Sequence, residues 1–244
     1  MSDSQLNIHP NKYFAEDIKY FENKLSKKEP FTFSKFADGE WAVMQNKVLN
    51  NNEFQYINSQ EHTKARELLV DSFKYQHPNY HVGISCHCCQ GTAFEDMQKF
   101  CEQPKERLTW ANLWVNSNYD YYLRNIVPHF LEYNVVLVAN ENSTLDQLPF
   151  KPKFFCPISA DAWVRNQDKI EDLKALIDGE KMEGWLFLFC CGPFGNILAH
   201  QLTEHSSNNT YLDAGSTLNP FLETEGFRRS YFAKHTQMKP CTWR

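Results

Sequence analysis

Short apolar runs of strand length alternate along this chain with longer segments whose apolar residues recur every three or four positions, and this alternation narrows the possible folds most. The clearest strand is Trp185 to Cys190, inside an unbroken apolar run that reaches Cys191. Asn134 to Ala139 is a β-branched run of the kind buried on both faces of a parallel sheet. Phe31 to Phe36 alternates apolar and polar, and His81–Ser85, Lys153–Cys156 and Thr210–Asp213 complete the predicted strands. Between them, Tyr13 to Lys27 sets Phe14, Ile18, Phe21 and Leu25 on one helical face. Glu61–Tyr75, Tyr119–Leu131, Asp161–Ile177 and Asn196–Glu204 are the other predicted helices, with Pro128 near the end of the second and Asp178-Gly179 stopping the third. Trp110 and Trp114 form an i, i+4 pair that reads as a core-facing helix stripe. Strands alternating with such helices predict the α/β class, a mostly parallel sheet with helices on both faces.

No internal repeat and no Gly/Ser/Pro-rich linker divides the 244 residues, so one domain is expected. Residues 1–30 form its N-terminal helical segment and residues 217–244 a C-terminal extension. The formal charge of −5 comes without a basic stripe, which argues against a nucleic-acid partner. No run approaches the roughly 20 apolar residues of a membrane span. Met1 to Pro10 lacks the apolar stretch of a signal peptide. The 8 cysteines are then expected to stay reduced, and the protein to be soluble and cytoplasmic.

In open parallel sheets, ligands bind beyond the carboxyl ends of the strands. Small, polar and acidic residues follow each predicted strand here. Asp38-Gly39-Glu40 follows the first. Two carboxylates flanking a glycine can converge on one hard cation, Mn²⁺ or Mg²⁺, if the backbone turns sharply. The same residues also read as a helix start, with Asp38 as N-cap and Glu40 favoured by the dipole. Gly192-Pro193-Phe194-Gly195-Asn196 is a strand-to-helix turn whose amide groups suit an anion. Asp213 follows at the offset of about 20 residues from which an acid reaches a ribose hydroxyl, although a tight connection with a capping Asp gives the same pattern. Cys86-His87-Cys88-Cys89 lacks the spacing of a zinc site, and packing thiols are expected there. Trp110, Trp114 and Trp163 read first as core, and Arg228, Arg229 and Lys234 as phosphate contacts or a solvated face.

Taken in order, these motifs resemble the GT-D type glycosyltransferases, a family first described as a bacterial domain of unknown function. Lys35-Phe36-Ala37-Asp38-Gly39-Glu40 is similar to the family's Arg-Phe-Gly-Asp-Gly-Glu-like segment. Val82-Gly83-Ile84, the run from Val136 to Ser143, the stretch from Pro157 to Trp163, and the Gly192-Pro193 loop with Asp213-Ala214-Gly215 follow collinearly. The resemblance implies a Rossmann-like fold, a nucleoside-diphosphate sugar donor, a glycan or other hydroxyl acceptor, and a divalent metal. It assigns Asp38 and Glu40 to the metal, and sets Lys35, Gly39, Gly192, Pro193, Gly195 and Asp213 at the donor. The acceptor proton falls to Glu141, Asp161, Asp213 or His87. Lys35 and Ala37 stand where the family has Arg and Gly, and Asn140–Gln147 lacks the family's Gly and Arg, so the donor or acceptor is expected to differ. Two other readings remain open: an S-adenosylmethionine methyltransferase with permuted strand order, and a non-catalytic nucleotide-binding module.

Overall fold

The first helix among the described residues is built as its periodicity requires. In the computed structural model, which describes residues 14–51, 54–223 and 229–232, α1 (Ala15–Lys27) buries Ile18, Phe21 and Leu25. Its acidic first turn and the lysines of its last turn both suit the helix dipole. Then come β1 (Thr32–Lys35), α2 (Asp38–Met44), the antiparallel hairpin of β2 (Leu49–Asn50) and β3 (Gln55–Tyr56), α3 (Gln60–Lys74) and β4 (Tyr80–Ile84). Two short helices, α4 (His87–Gln90) and α5 (Ala93–Phe100), lead to β5 (Leu108–Trp110). A composite helical segment contains α6 (Tyr119–Tyr121), and β6 (Val135–Asn140) follows it. The last third runs β7 (Phe154–Ile158), α7 (Ala162–Arg165), α8 (Asp168–Gly179), β8 (Leu186–Cys190), α9 (Pro193–His205), β9 (Thr210–Asp213) and α10 (Asn219–Leu222).

Seven strands form one sheet in the order β5-β4-β1-β9-β8-β6-β7, and every pairing in it is parallel. Side chains alternate across it, as period two demands. Val136, Val138, Phe187 and Phe189 face one core, with α2, α3, α8 and α9 packed over them. Val135, Leu137, Leu186 and Leu188 face the other, covered by α1 and the composite segment. Both faces are therefore apolar, the expected Rossmann-like α/β arrangement. On β1 the face toward α9 is polar but satisfied. Thr32 Oγ1 and Thr203 Oγ1 share a hydrogen bond of 2.6 Å, and Asn196 Nδ2 donates to Ser34 Oγ at 3.0 Å. Pro157 sits in β7, an edge strand, where a missing N–H costs no ladder bond on the open side.

Four local readings change. Trp110 ends strand β5 instead of opening a helix stripe, and its main chain crosses Gly83 so closely that a Cβ there would lie 3.1 Å from the Trp110 carbonyl carbon. Both Trp110 and Trp114 remain core residues. The helix expected over Tyr119–Leu131 is broken into an α turn, a π turn (Tyr122–Ile126) and a 3₁₀ turn (Val127–Glu132). Pro128 has no N–H to offer the preceding turn, so a regular helix cannot pass through it. The helix expected from Asp161 to Ile177 starts one residue later, because Asp161 takes a left-handed φ of 61°, and it divides into α7 and α8 at Asn166, whose φ of −117° and ψ of 32° leave the helical region. The acidic turn is a helix start, with Ala37 and not Asp38 at the N-cap. Tyr13, Arg228 and Lys234 lie outside the described residues.

Candidate functional site

The chain leaves the sheet in opposite directions at two neighbouring strand ends. From β6 it runs outward to the edge strand β7, and from β8 it runs inward through α9 to β9. Connections that part in this way open a crevice at the carboxyl ends of the strands. A cavity lies there, and its wall takes residues from five contiguous strand ends: Lys35, Asp213, Cys190, Asn140 and Ile158.

The cavity wall carries both charged and neutral polar groups. Lys35, Glu40, Asp161, Asp213 and Arg229 are the charged ones, and Gly192 at the start of α9 is also a wall residue. Asn140, Ser143, Ser159, Ser216 and Asn219 are the neutral ones. Asp213 is 2% exposed. Its Oδ2 accepts the Lys35 N–H at 3.1 Å and its Oδ1 the Gly215 N–H at 3.0 Å, while Asn196 Nδ2 approaches Oδ2 at 3.5 Å. Burial raises the Asp213 carboxyl to about 7, with the nearby Lys35 charge opposing the rise and Glu40 adding to it. Gly215 has a φ of 53°, and a Cβ there would lie 2.7 Å from Lys35 Nζ, so the ammonium rests against a position only glycine fills well.

The acidic turn is split by its helix. Glu40 is buried, and its Oε2 accepts the Ala37 N–H at 2.9 Å, which closes the N-terminus of α2. Asp38 is exposed and does not belong to the cavity wall. Gly39 has the Phe54 ring against it: a Cβ would lie 2.9 Å from Phe54 Cζ. The same ring reaches Gly192, where a Cβ would lie 3.5 Å from Phe54 Cδ1. Gly192 takes a φ of 56° and Pro193 occupies the first helical position, the usual use of both residues at such a turn. Gly195 packs on Phe189, with a notional Cβ at 3.2 Å, and lets α9 approach β8. Pro193 and Gly195 are buried and are not cavity residues.

Of the four groups considered for the acceptor proton, Asp161 and Asp213 line the cavity. Glu141 is exposed, and His87 packs against Phe94 at 4.4 Å between ring centroids; neither belongs to the wall. His87 stands on the short helix α4, not on an extended segment. Cys190 and Cys191 line the cavity, but burial pushes both thiols up, which keeps them protonated and poor as nucleophiles.

In the sequence Asn196 and Ser143 have no role beyond membership of their segments, and Phe54 and His62 have none at all. Asn196 ties the end of β1 to α9, donating to the Lys35 carbonyl at 2.8 Å, and its partner lies 161 residues away in sequence. No local pattern carries a contact of that span.

No protein-family model matches the sequence, and no curated protein matches it. Solved structures do resemble the chain. One is described as the highly conserved domain of unknown function 1792 with a distinct glycosyltransferase fold, at a TM-score of 0.57, 12% identity, and coverage of 82% of this chain and 77% of that one. Another is described as a new glycosyltransferase of the same domain from Streptococcus sanguinis, at a TM-score of 0.53, 13% identity, and coverage of 82% and 80%. This chain therefore shares the fold of the domain of unknown function 1792, the GT-D type fold that its sequence resembles.

Proposed function

We propose that this chain is a glycosyltransferase that takes a nucleoside-diphosphate sugar, holds the diphosphate with Mn²⁺ or Mg²⁺, and passes the sugar to a hydroxyl of a glycan or other acceptor. One observation carries the reading. At the parting of β6 and β8, cationic Lys35 and Arg229 and the start of the 13-residue helix α9 line the same cavity as the carboxylates Glu40 and Asp213. Cationic groups and a helix N-terminus suit a diphosphate. A divalent cation beside that diphosphate would have two carboxylates to hold it. The fold, which the neighbouring structures share, supports the same reading.

The donor set fits a hard divalent ion, being oxygen only. Among the described residues no three His, Cys, Asp or Glu come together as a metal site, so diphosphate and water would complete the shell. Binding of the ion is then weak until the nucleotide arrives. Geometry favours Glu40 with Asp213 for this role, since both line the cavity while Asp38 is exposed outside it. When bound, the ion would neutralise charge on the departing nucleoside diphosphate. Lys35, fixed against Gly215, adds a charge that needs no reorientation during transfer. At the start of α9 the amide offered to the diphosphate is that of the cavity residue Gly192, since Pro193 has no N–H and the Gly195 N–H already bonds the Gly192 carbonyl at 2.9 Å. The hydroxyl and carboxamide groups of Ser143, Asn140 and Asn219 orient the uncharged parts of the ligand.

A melting screen against nucleoside diphosphates, each with and without Mn²⁺, tests this. A diphosphate at a hundredfold excess over its dissociation constant stabilises by about 2.7 kcal/mol, an upward shift of roughly 5–10 °C. No shift with any diphosphate, in either condition, would sink the reading.

A further inference from the structure

Asp161 holds three elements together at the rim of the cavity, and one of its partners is a buried histidine that the catalytic reading does not use. Its left-handed backbone, φ 61°, is a conformation that Asp enters more readily than most residues and that surrounding contacts can lock. They do so here. Asp161 Oδ1 accepts the Gln55 main-chain N–H from β3 at 3.0 Å and the Trp163 Nε1–H from α7 at 2.9 Å. Asp161 Oδ2 faces His62 Nε2 of α3 at 3.6 Å, with both side chains largely shielded from solvent. Ser59 holds the other ring nitrogen. Its hydroxyl accepts the His62 main-chain N–H at 3.3 Å and meets His62 Nδ1 at 2.9 Å. The tautomer with its proton on Nε2, in which the Ser59 hydroxyl donates to Nδ1, is the one that turns a donor toward Asp161 Oδ2, at a contact distance just beyond a hydrogen bond.

We propose that His62 is a positioning residue: through Asp161 it fixes Gln55, and with it the neighbouring Phe54 ring that packs on Gly39 and Gly192 at the two turns of the donor site. His62 does not line the cavity; it reaches the site through Asp161, itself a cavity residue, and through its ring contacts with Tyr56 and Trp163, and a Phe at position 62 keeps the ring while removing the polar contact. The ligand-binding half of this inference rests on the nucleotide-sugar reading; the latch does not.

Amide hydrogen exchange at Gln55 tests the latch directly, in the wild-type chain and in His62→Phe, His62→Gln and Asp161→Asn. Phe keeps the ring and loses the donor; Gln keeps a donor. Asn tolerates the left-handed backbone but turns a donor or a weaker acceptor toward His62. Exchange at Gln55 is expected to rise about tenfold or more in His62→Phe and Asp161→Asn, a change of about 1.4 kcal/mol, and to stay near wild type in His62→Gln. Unchanged exchange in both disrupting variants, or equal acceleration in His62→Gln, overturns the latch. Affinity for uridine and guanosine diphosphates with Mn²⁺ forms the second arm. A fall of about tenfold in His62→Phe, rescued in His62→Gln, supports coupling to the site; equal affinity in all variants overturns that coupling. If neither diphosphate binds the wild-type chain, the donor reading and the coupling fall together, and the exchange result still decides the latch.

Discussion

Lys35, Asp213 and Gly215 form a unit in which each residue explains the next. Asp213 is buried and gathers main-chain N–H groups from both Lys35 and Gly215, so the carboxylate organises the ends of β1 and β9. The Lys35 side chain then folds over Gly215 into the cavity. Gly215→Ala would add both a strained φ and a Cβ in the path of the ammonium. It is expected to cost about 1–2 kcal/mol in denaturant unfolding and to weaken diphosphate binding, because Lys35 must move. Unchanged binding in that variant would show that Lys35 does not contact the ligand. The placement of Asp213 was legible in the sequence, as an acid at a strand end after a glycine turn. Its surroundings were not, since the bonds that occupy it come from residues up to 178 positions away. The acidic turn shows the same limit. Asp38 and Glu40 look equivalent in sequence, yet the start of α2 turns Glu40 inward as its own cap and leaves Asp38 in solvent.

Among the elements, the hairpin β2–β3 departs furthest from what periodicity reveals. Its strands are two residues each, too short for any pattern to register, yet they bring Phe54 between two glycine turns. Gly39→Ala would press a methyl group on that ring and is expected to cost about 1–3 kcal/mol by overpacking. The cost should shrink in a Phe54→Leu background, and a double-mutant cycle measures the difference. Additive effects would mean that the ring and the glycine do not share the contact. Longer elements were readable where the apolar pattern is unbroken, as in α1, β6 and β8, and unreadable where the backbone leaves the helix, as around Pro128 and at Asn166. At the junction of α1 and β4, His81 is 3% exposed, and burial together with the Arg107 charge lowers its pKa to about 4. A histidine depressed in the folded state contributes stability that is fully present above its ordinary value near 6.5 and is lost as pH falls through about 4. Unfolding free energy is expected to drop by up to about 3 kcal/mol over that window, and His81→Gln should flatten the drop. An identical acid limb in wild type and variant would assign it to other groups.

At the scale of the whole molecule, the order of the strands creates the site. The α/β class followed from alternating periodicities, but the order β5-β4-β1-β9-β8-β6-β7 depends on long-range pairing that the chain does not encode locally. That order makes the connections part beyond the ends of β6 and β8 and gathers Lys35, Glu40, Asn140 and Asp213 on one cavity from three separated segments. No helix among the described residues is long and apolar enough to cross a membrane. The central claim is that this cavity takes a diphosphate together with a divalent cation held at Glu40. Calorimetric titration of a nucleoside diphosphate, with Mn²⁺ and with excess chelator, into wild type, Glu40→Gln and Asp38→Asn tests it most directly. Mn²⁺ should tighten binding by about tenfold or more in wild type and in Asp38→Asn, and by little in Glu40→Gln, a gap of roughly 1.4 kcal/mol. Affinity that is the same with chelator as with Mn²⁺, or an undiminished Mn²⁺ effect in Glu40→Gln, would contradict it.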